Sequence, residues 1–338
     1  MDLGYWLPLF FAGAMGLALL IYVVLDGYDL GIGMLLPFAS DDEKDVMVAA
    51  IGPFWDANET WIVLGVGILL IAFPQAHSIV LTSLYLPVTL MLMGLILRGV
   101  SFDFRVKAGD KHKAKWNRLF AFGSLVASVC QGWMLGAFVT GLTGDATSTL
   151  FAALIAVALP SLYIMLGAAW LLIKTEGELF NKAARWGRLA VWPTGGFLLL
   201  ISIATPLVSS TIADKWFTLP NAIGLMPIPL ATALAYAGLI WVFNSKQILN
   251  NGYGWLAFVA LMVVCVLASI GLAYSLPQSD HSYEGLPLIA RPLAAPQAVE
   301  PVVLTCHADP APNSLTARAM PALTQAFKKD ATERESDD

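Results

Sequence analysis

Four carboxylic acids lie within stretches of sequence that are otherwise apolar, and these are the residues best suited to chemistry. Asp26 and Asp29 belong to the first apolar run of the chain, and Asp56 and Glu59 belong to the second. A charged side chain at the centre of a bilayer costs roughly 3 kcal/mol on insertion scales, so ionisable residues at such positions are candidates for function. A carboxyl group that exchanges its proton at this depth suits a proton relay, and the four acids predict that chemistry.

The spacing within each pair of acids places both members on one face of a helix, because residues three apart are neighbours there. With a rise of ~1.5 Å per residue, Asp26 and Asp29 are expected roughly 8–12 Å from the centre of their run. Asp56 and Glu59 are expected near the membrane midplane, and neither has a basic neighbour in sequence. The second pair is therefore the stronger prediction for a proton path.

Two polar or aromatic neighbours of Asp56 extend this group. Trp55 precedes it and Asn58 follows it, so both are candidates for the proton path or for a subunit interface. A structural alternative stays open, in which Asp56 is only a hydrogen-bonding carboxyl at that interface.

A basic residue in the third apolar run is predicted to balance part of the acidic charge. Arg98 lies at a depth similar to that of the first acid pair, so we expect it to meet Asp26 or Asp29 between the first and third helices. Asp103 is a second candidate for this structural charge pairing, whereas Arg105 is expected at the solvated end of the helix.

The composition requires a membrane protein to hold these residues. The chain has 338 residues, of which 58% are apolar and 13% are charged, and its mean hydropathy is +0.71. Soluble proteins carry roughly 25% charged residues, about twice this fraction. The net charge of −5 excludes an overall basic surface for nucleic acid.

Apolar runs of the length needed to span a bilayer, about 20 residues, predict an all-α bundle of eight transmembrane helices over residues 1–276. The runs are 6–37, 46–73, 78–104, 117–142, 150–173, 187–208, 222–243 and 255–276. Residues 277–338 are rich in Pro and Ala, lack such a run, and are predicted to form an irregular tail.

The distribution of basic residues predicts the orientation. Lys and Arg concentrate in the loops after the third, fifth and seventh runs, and the opposite loops have almost none. Because basic loops stay in the cytoplasm, we expect a multi-pass protein of the bacterial inner membrane with its N-terminus outside.

The histidines and cysteines predict no cofactor in this chain. His77 and His112 lie near predicted loops, the other two histidines lie in the tail, and the three cysteines are far apart in sequence. No pair of His or Met residues has the spacing of haem ligands, so we expect neither haem nor metal here.

Three segments, in this order along the chain, resemble subunit II of the cytochrome bd-type quinol oxidases. Their sequences are closer to the cyanide-insensitive branch of that family. They are DGYDLGIG at residues 26–33, GPFWDANETW at 52–61 and RGVSFDFR at 98–105. The resemblance covers residues 1–276. Beyond them the family continues into a ninth helix, where this sequence has the Pro- and Ala-rich tail.

The resemblance implies a complex in which a haem-bearing subunit I oxidises quinol and reduces dioxygen to water. Haem b and haem d groups are expected in that partner, and this subunit supports it and contributes to proton or oxygen access. A small single-helix subunit and a structural quinone are left open. The roles that the resemblance carries over attach to Asp26, Asp29, Trp55, Asp56, Asn58, Glu59, Arg98 and Asp103.

Two other functions remain as alternatives at this point. One is a proton-coupled secondary transporter or channel with Asp56 and Glu59 as its coupling site, although the polar sites have no counterpart in the later helices. The other is a purely structural membrane scaffold.

Overall fold

The computed structural model describes residues 3–219 and 221–275, and within them the chain is helical with no strand. The all-α prediction is therefore confirmed for this part of the chain, and the predicted tail at 277–338 lies outside it. In chain order the helices are α1 (Leu3–Leu35), a 3-10 turn (Leu36–Phe38), α2 (Asp41–Ile51), α3 (Trp55–Ala72), α4 (Pro74–Ser83), α5 (Tyr85–Lys107), α6 (Asp110–Val139), α7 (Ala146–Lys174), α8 (Gly177–Val208), α9 (Ser210–Phe217), α10 (Asn221–Leu225), α11 (Pro227–Asn244), α12 (Lys246–Asn250) and α13 (Trp255–Ser275).

Eight of the described helices are long and apolar enough to cross a membrane, as the sequence predicts. They are α1, α3, α5, α6, α7, α8, α11 and α13. The end of the bundle at which the α5–α6, α7–α8 and α11–α12 connections lie carries the basic loops, and we call it the basic end.

The second predicted run is wrong in its boundaries, because residues 46–73 form two helices. Ser40 begins α2 with a capping box, in which its side chain accepts from the Glu43 amide and its own amide donates to the Glu43 carboxylate. The chain then turns through Gly52, Pro53 and Phe54 before α3 begins at Trp55. Proline lacks the amide that a continuing helix needs, so it stands naturally in this break.

The third predicted run, 78–104, is also divided. Pro74 begins the short helix α4, which ends at Ser83, and α5 then extends to Lys107. The apolar sequence runs across both breaks, and hydropathy alone does not mark them.

Small residues bring the helices at the centre of the bundle into close contact. α1 packs against α3, α6 and α7. At the α1–α7 crossing, a Cβ added to Gly31 would lie 1.8 Å from the carbonyl oxygen of Tyr163, and one added to Gly167 would lie 2.6 Å from the amide nitrogen of Ile32. Small residues at such crossings let backbones approach and provide the packing that joins membrane helices.

Helix α2 is fastened at the basic end by ion pairs to two other helices. Asp45 Oδ1 lies 2.7 Å from Arg105 Nη2 of α5, and Glu43 Oε1 lies 2.8 Å from Lys182 Nζ of α8. The hydrogen bond from Lys182 lowers the pKa of Glu43. Partial burial acts to raise the pKa of Asp45, but the hydrogen bond and charge of Arg105 outweigh it and the pKa is lowered.

The prediction that Arg105 lies at a solvated end is wrong. Arg105 is 4% exposed, and its Nε donates to Asn117 Oδ1 while its Nη2 donates to Asp45. The reason is that Asp45 of α2 and Asn117 of α6 lie against its guanidinium.

Candidate functional site

Charged and polar side chains of α1, α3 and α5 meet in a buried group that we call the charge cluster. Its members are Asp26, Asp29, Asn58, Glu59 and Arg98. The guanidinium of Arg98 donates from Nη1 to Asp26 Oδ1 at 2.6 Å and from Nη2 to Glu59 Oε1. The contact of Arg98 with Asp26 is thus present as expected, whereas the expectation that Glu59 lacks a basic partner is wrong.

Asp29 is held by an amide rather than by the guanidinium. Asn58 Nδ2 donates to Asp29 Oδ2 at 2.8 Å and to the Tyr28 hydroxyl at 2.8 Å. Asn58 Nδ2 also lies 3.4 Å from the carbonyl oxygen of Leu25, so Asn58 joins α3 to three residues of α1 and both hydrogens of its amide group are used.

Glycines of the α5–α6 crossing position Arg98. A Cβ on Gly123 would lie 2.6 Å from the carbonyl oxygen of Gly94 and 3.0 Å from the amide nitrogen of Arg98. The absence of a side chain lets α6 press directly on the backbone of α5 at this residue. The long side chain of Arg98 then extends toward α1 and α3, and it is only 1% exposed.

The charge cluster contains three carboxyl groups and one guanidinium. Asp26 Oδ2, Asp29 Oδ1 and Arg98 Nε are buried and lack a hydrogen-bond partner among the described residues. Buried polar atoms are normally paired with protein or with ordered water. Such an excess of acceptors suits water molecules and exchangeable protons, both of which a proton relay uses.

The acidic residues of α3, Asp56 and Glu59, lie between the charge cluster and the exposed surface at the basic end. Because α3 begins at Trp55, Asp56 lies in its first turn at the basic end and is exposed, so its predicted position near the midplane is wrong. Glu59 follows one turn later with 27% of its side chain exposed, and its partner Asp26 is fully buried. Burial thus increases stepwise from Asp56 through Glu59 to Asp26.

The remaining sequence candidates lie beside this route. Trp55 is half-buried, and its ring centroid lies 4.9 Å from that of Phe102 on α5. Asp103 is exposed on α5. Arg98 contacts Asp26 and Glu59 instead, so the structural pairing proposed for Asp103 is wrong.

A line of buried hydrogen bonds lies next to the charge cluster, and the sequence patterns do not predict it. The Tyr163 hydroxyl of α7 donates to Gln131 Oε1 of α6 at 2.7 Å, and Gln131 Nε2 donates to the Tyr22 hydroxyl of α1 at 2.7 Å. One available signal was the spacing of Tyr22 and Asp26, which lie four residues apart on one face of α1.

The described part of the chain shows no cluster of metal-binding side chains. His77 is half-buried in α4 and His112 is exposed near the start of α6. No group of three or more His, Cys, Asp or Glu residues there could hold a metal ion.

Comparison with known families identifies the chain over most of its length. The sequence model of the family described as cytochrome bd terminal oxidase subunit II matches residues 7–299. The match thus continues past residue 276, where the motif resemblance ends.

Individual relatives and a solved structure agree with this match. The chain is 26% identical over 288 residues to cytochrome bd ubiquinol oxidase subunit 2 of Bacillus subtilis (strain 168), covering 77% of this chain and 82% of that protein. It is 29% identical over 197 residues to cytochrome bd-I ubiquinol oxidase subunit 2 of Escherichia coli (strain K12), covering 53% and 52%. The bd oxidase structure from Geobacillus thermodenitrificans has the same fold, with a TM-score of 0.64 at 16% identity over 80% of this chain and 84% of that one.

These findings decide between the functions that the sequence left open. None of them supports the transporter or channel alternative. The eight membrane-length helices make the chain a multi-pass membrane protein, and a subunit of an oxidase complex has at least one partner. The chain belongs to the cytochrome bd terminal oxidase subunit II family and is a subunit of an oxidoreductase complex.

Proposed function

We propose that this chain is the haem-free subunit of a membrane complex that oxidises quinol, reduces dioxygen to water and takes protons for that reaction through the charge cluster. The relatives named as ubiquinol oxidase subunits support the quinol and oxygen chemistry. The observation that carries the proton role is the excess of buried carboxyl groups around Arg98, with unpartnered oxygens on Asp26 and Asp29.

Haem b and haem d groups belong, in this proposal, to a subunit I partner, where they supply the electron transfer and oxygen reduction. That division is supported by the described residues, among which no group of three or more His, Cys, Asp or Glu side chains could hold a metal ion. A small single-helix subunit and a structural quinone stay open in this proposal. The apolar surface of the helices faces the partner or lipid.

The proposed orientation places the basic end in the cytoplasm and the N-terminus outside. Support comes from the concentration of Lys and Arg in the loops at this end. Labelling of Lys111→Cys and Asp145→Cys with an impermeant thiol reagent tests it. Reagent applied from outside should modify Asp145→Cys alone, and modification of Lys111→Cys alone would contradict the orientation.

Each residue of the charge cluster, together with Asp56, has a role in the proposed proton uptake. Asp56 takes a proton from water at the basic end and passes it to Glu59, one turn further along α3. Arg98 keeps Glu59 and Asp26 within reach of one guanidinium, and Asn58 holds Asp29 beside them. Protons leave the cluster toward subunit I. In the structural alternative, Asp56 only bonds across the interface.

Co-purification tests the assignment to the oxidase complex. Tagged chain expressed with its partner should bring down a haem-bearing subunit whose reduced-minus-oxidised spectrum shows haem bands. The same chain expressed alone should show none. A stoichiometric Soret band from the isolated chain would contradict the haem-free assignment, and a colourless product from co-expression would contradict the assembly.

A further inference from the structure

The hydrogen bonds from Tyr163 through Gln131 to Tyr22 have a defined direction. The Tyr163 hydroxyl donates to the carbonyl oxygen of the Gln131 side chain, which leaves the amide nitrogen of Gln131 facing Tyr22. That nitrogen donates to the Tyr22 oxygen. The hydroxyl hydrogen of Tyr22 is therefore not used in this line and remains to be donated elsewhere.

The nearest unsatisfied acceptor stands one helical turn away. Tyr22 and Asp26 are four residues apart on α1, and their side chains interact. Asp26 Oδ1 accepts from Arg98, whereas Asp26 Oδ2 is buried without a hydrogen-bond partner among the described residues. The Tyr22 hydroxyl, which has a hydrogen left to donate, thus lies beside the unpartnered Oδ2 of Asp26. Tyr22, Gln131 and Tyr163 are all buried.

We propose that Tyr163 and Gln131 are positioning residues that direct the Tyr22 hydroxyl to Asp26. With Arg98 on one oxygen and Tyr22 on the other, both oxygens of Asp26 are hydrogen-bonded, and the exchangeable proton of the charge cluster resides on Glu59 or Asp29. This assignment rests on the proposed proton role of the cluster and adds to it three residues that carry no charge.

The neighbours of Asp26 support this division of roles. The titratable and charged groups that interact with it are Tyr22, Tyr28 and Asp29 on α1, Glu59 on α3, Arg98 on α5 and Tyr163 on α7. Among the carboxyls, Asp29 is held only by the neutral amide of Asn58, and Glu59 is partly exposed near Asp56. Asp26 alone has a charged donor on one oxygen and a second donor within reach of the other, so it is the carboxyl of the cluster that is held most firmly.

Substitution of Tyr22 by Phe in the assembled oxidase removes the donor and keeps the ring. Loss of a hydrogen bond to a charged group should move the acid limb of the turnover–pH profile to higher pH by roughly one to two units. Tyr163→Phe should move it in the same direction by less, because Gln131 is then free to reorient. Tyr236→Phe is the matched control, since the Tyr236 hydroxyl donates to the carbonyl oxygen of Val191 on α8 and should leave the profile unchanged.

Infrared difference spectroscopy gives a second readout that does not depend on turnover. Tyr22→Phe should shift the carboxyl band of Asp26, because the hydrogen bond to one of its oxygens is lost, and the double variant Tyr22→Phe with Asp26→Asn should lose that band. Profiles and spectra of Tyr22→Phe and Tyr163→Phe that both match the parent would overturn the positioning role. Full turnover in the double variant Glu59→Gln with Asp29→Asn would instead contradict the proton role of the cluster, and the infrared band would still decide the hydrogen bond. If Tyr22→Phe does not assemble, Tyr163→Phe decides the question alone.

Discussion

The helices α1, α3 and α5 differ sharply from α8, α11 and α13 in what holds them together. The first group shares ion pairs and hydrogen bonds of the charge cluster. In the second group, α11 and α13 contain no Asp, Glu, Lys or Arg, so no ion pair joins these three helices to one another. Tyr236 donates to the carbonyl oxygen of Val191 at 2.5 Å, and Gly187 makes room for the ring of Phe243.

This difference shows that the fold does not require buried charge. Membrane helices associate through close packing and neutral hydrogen bonds, as the second group does. Buried ionisable residues are costly in a membrane, and among the described residues the buried ones lie on α1 and α5, where they are Asp26, Asp29, Arg98 and Arg105. Their position supports the function that we propose for the charge cluster. Close packing at glycine is common to both groups, as Gly31 and Gly187 illustrate.

The largest expected effect follows from removing the only guanidinium of the cluster. Arg98→Ala leaves the carboxylates of Asp26 and Glu59 buried without their partner, which should cost about 3–5 kcal/mol of stability. The yield of assembled oxidase, measured from the haem co-purified with the tagged chain, should fall steeply. Arg188→Ala is the control from the second group, because the Nε of Arg188 donates to the uncharged Phe243 carbonyl oxygen at 3.2 Å and no ion pair of Arg188 is found among the described residues. Equal yields from the two variants would contradict the comparison.

Substitution of a closely packed glycine by alanine should destabilise either group of helices. The loss of stability should be larger where the added methyl group meets rigid backbone. Gly31→Ala drives a Cβ against the backbone of α7, and overpacking of this kind costs about 1–3 kcal/mol. Gly187→Ala meets the ring of Phe243, which can shift, so it should cost less. Gly238→Ala meets nothing within 4 Å and serves as the control. Thermal unfolding of the complex in detergent should rank the three in that order, and a Gly31→Ala variant as stable as Gly238→Ala would disprove the close α1–α7 crossing.

A smaller effect is expected from acid on the attachment of α2. The pKa values of Glu43 and Asp45 are lowered in the folded chain, so the stability they contribute is present at neutral pH and is lost as the pH falls through those lowered values. Each of these two ion pairs has a partly exposed member, and ion pairs screened by solvent contribute about 0–1 kcal/mol. The protection of α2 amides from hydrogen exchange, taken relative to the intrinsic rate at each pH, should therefore fall modestly below about pH 4, while α7 amides stay protected. Asp45→Asn should reduce this pH dependence, and an unchanged dependence would show that Arg105 does not hold α2 through Asp45.

Much of this architecture could be predicted from the sequence. Eight apolar runs give eight helices, because a bilayer imposes both length and hydrophobicity. The contact of Arg98 with Asp26 could be predicted as well, since a buried guanidinium needs a carboxylate and the two residues lie at similar depth.

The errors have physical causes at particular residues. The apolar sequence continues through residues 46–52, so the break at Pro53 carried no hydropathy signal and Asp56 was placed too deep. Glu59 was therefore counted from the wrong helix start, and its approach to Arg98 could not be recognised. Gln131 is a neutral residue within an apolar run, and its bonds to Tyr22 and Tyr163 depend on how three helices cross.

Proton uptake by Asp56→Asn is the most direct test of the central claim that α3 carries protons into the charge cluster. Asp103→Asn is the matched control, because both acids are exposed at the basic end but only Asp56 adjoins Glu59. With the oxidase in liposomes, Asp56→Asn should keep its haem content while oxygen reduction and coupled proton uptake fall about tenfold, since a positioned proton-transfer group is lost. Asp103→Asn should match the parent in both rates. Full oxygen reduction and proton uptake in an assembled Asp56→Asn oxidase would contradict the account and leave Asp56 as a hydrogen-bonding group at the subunit interface.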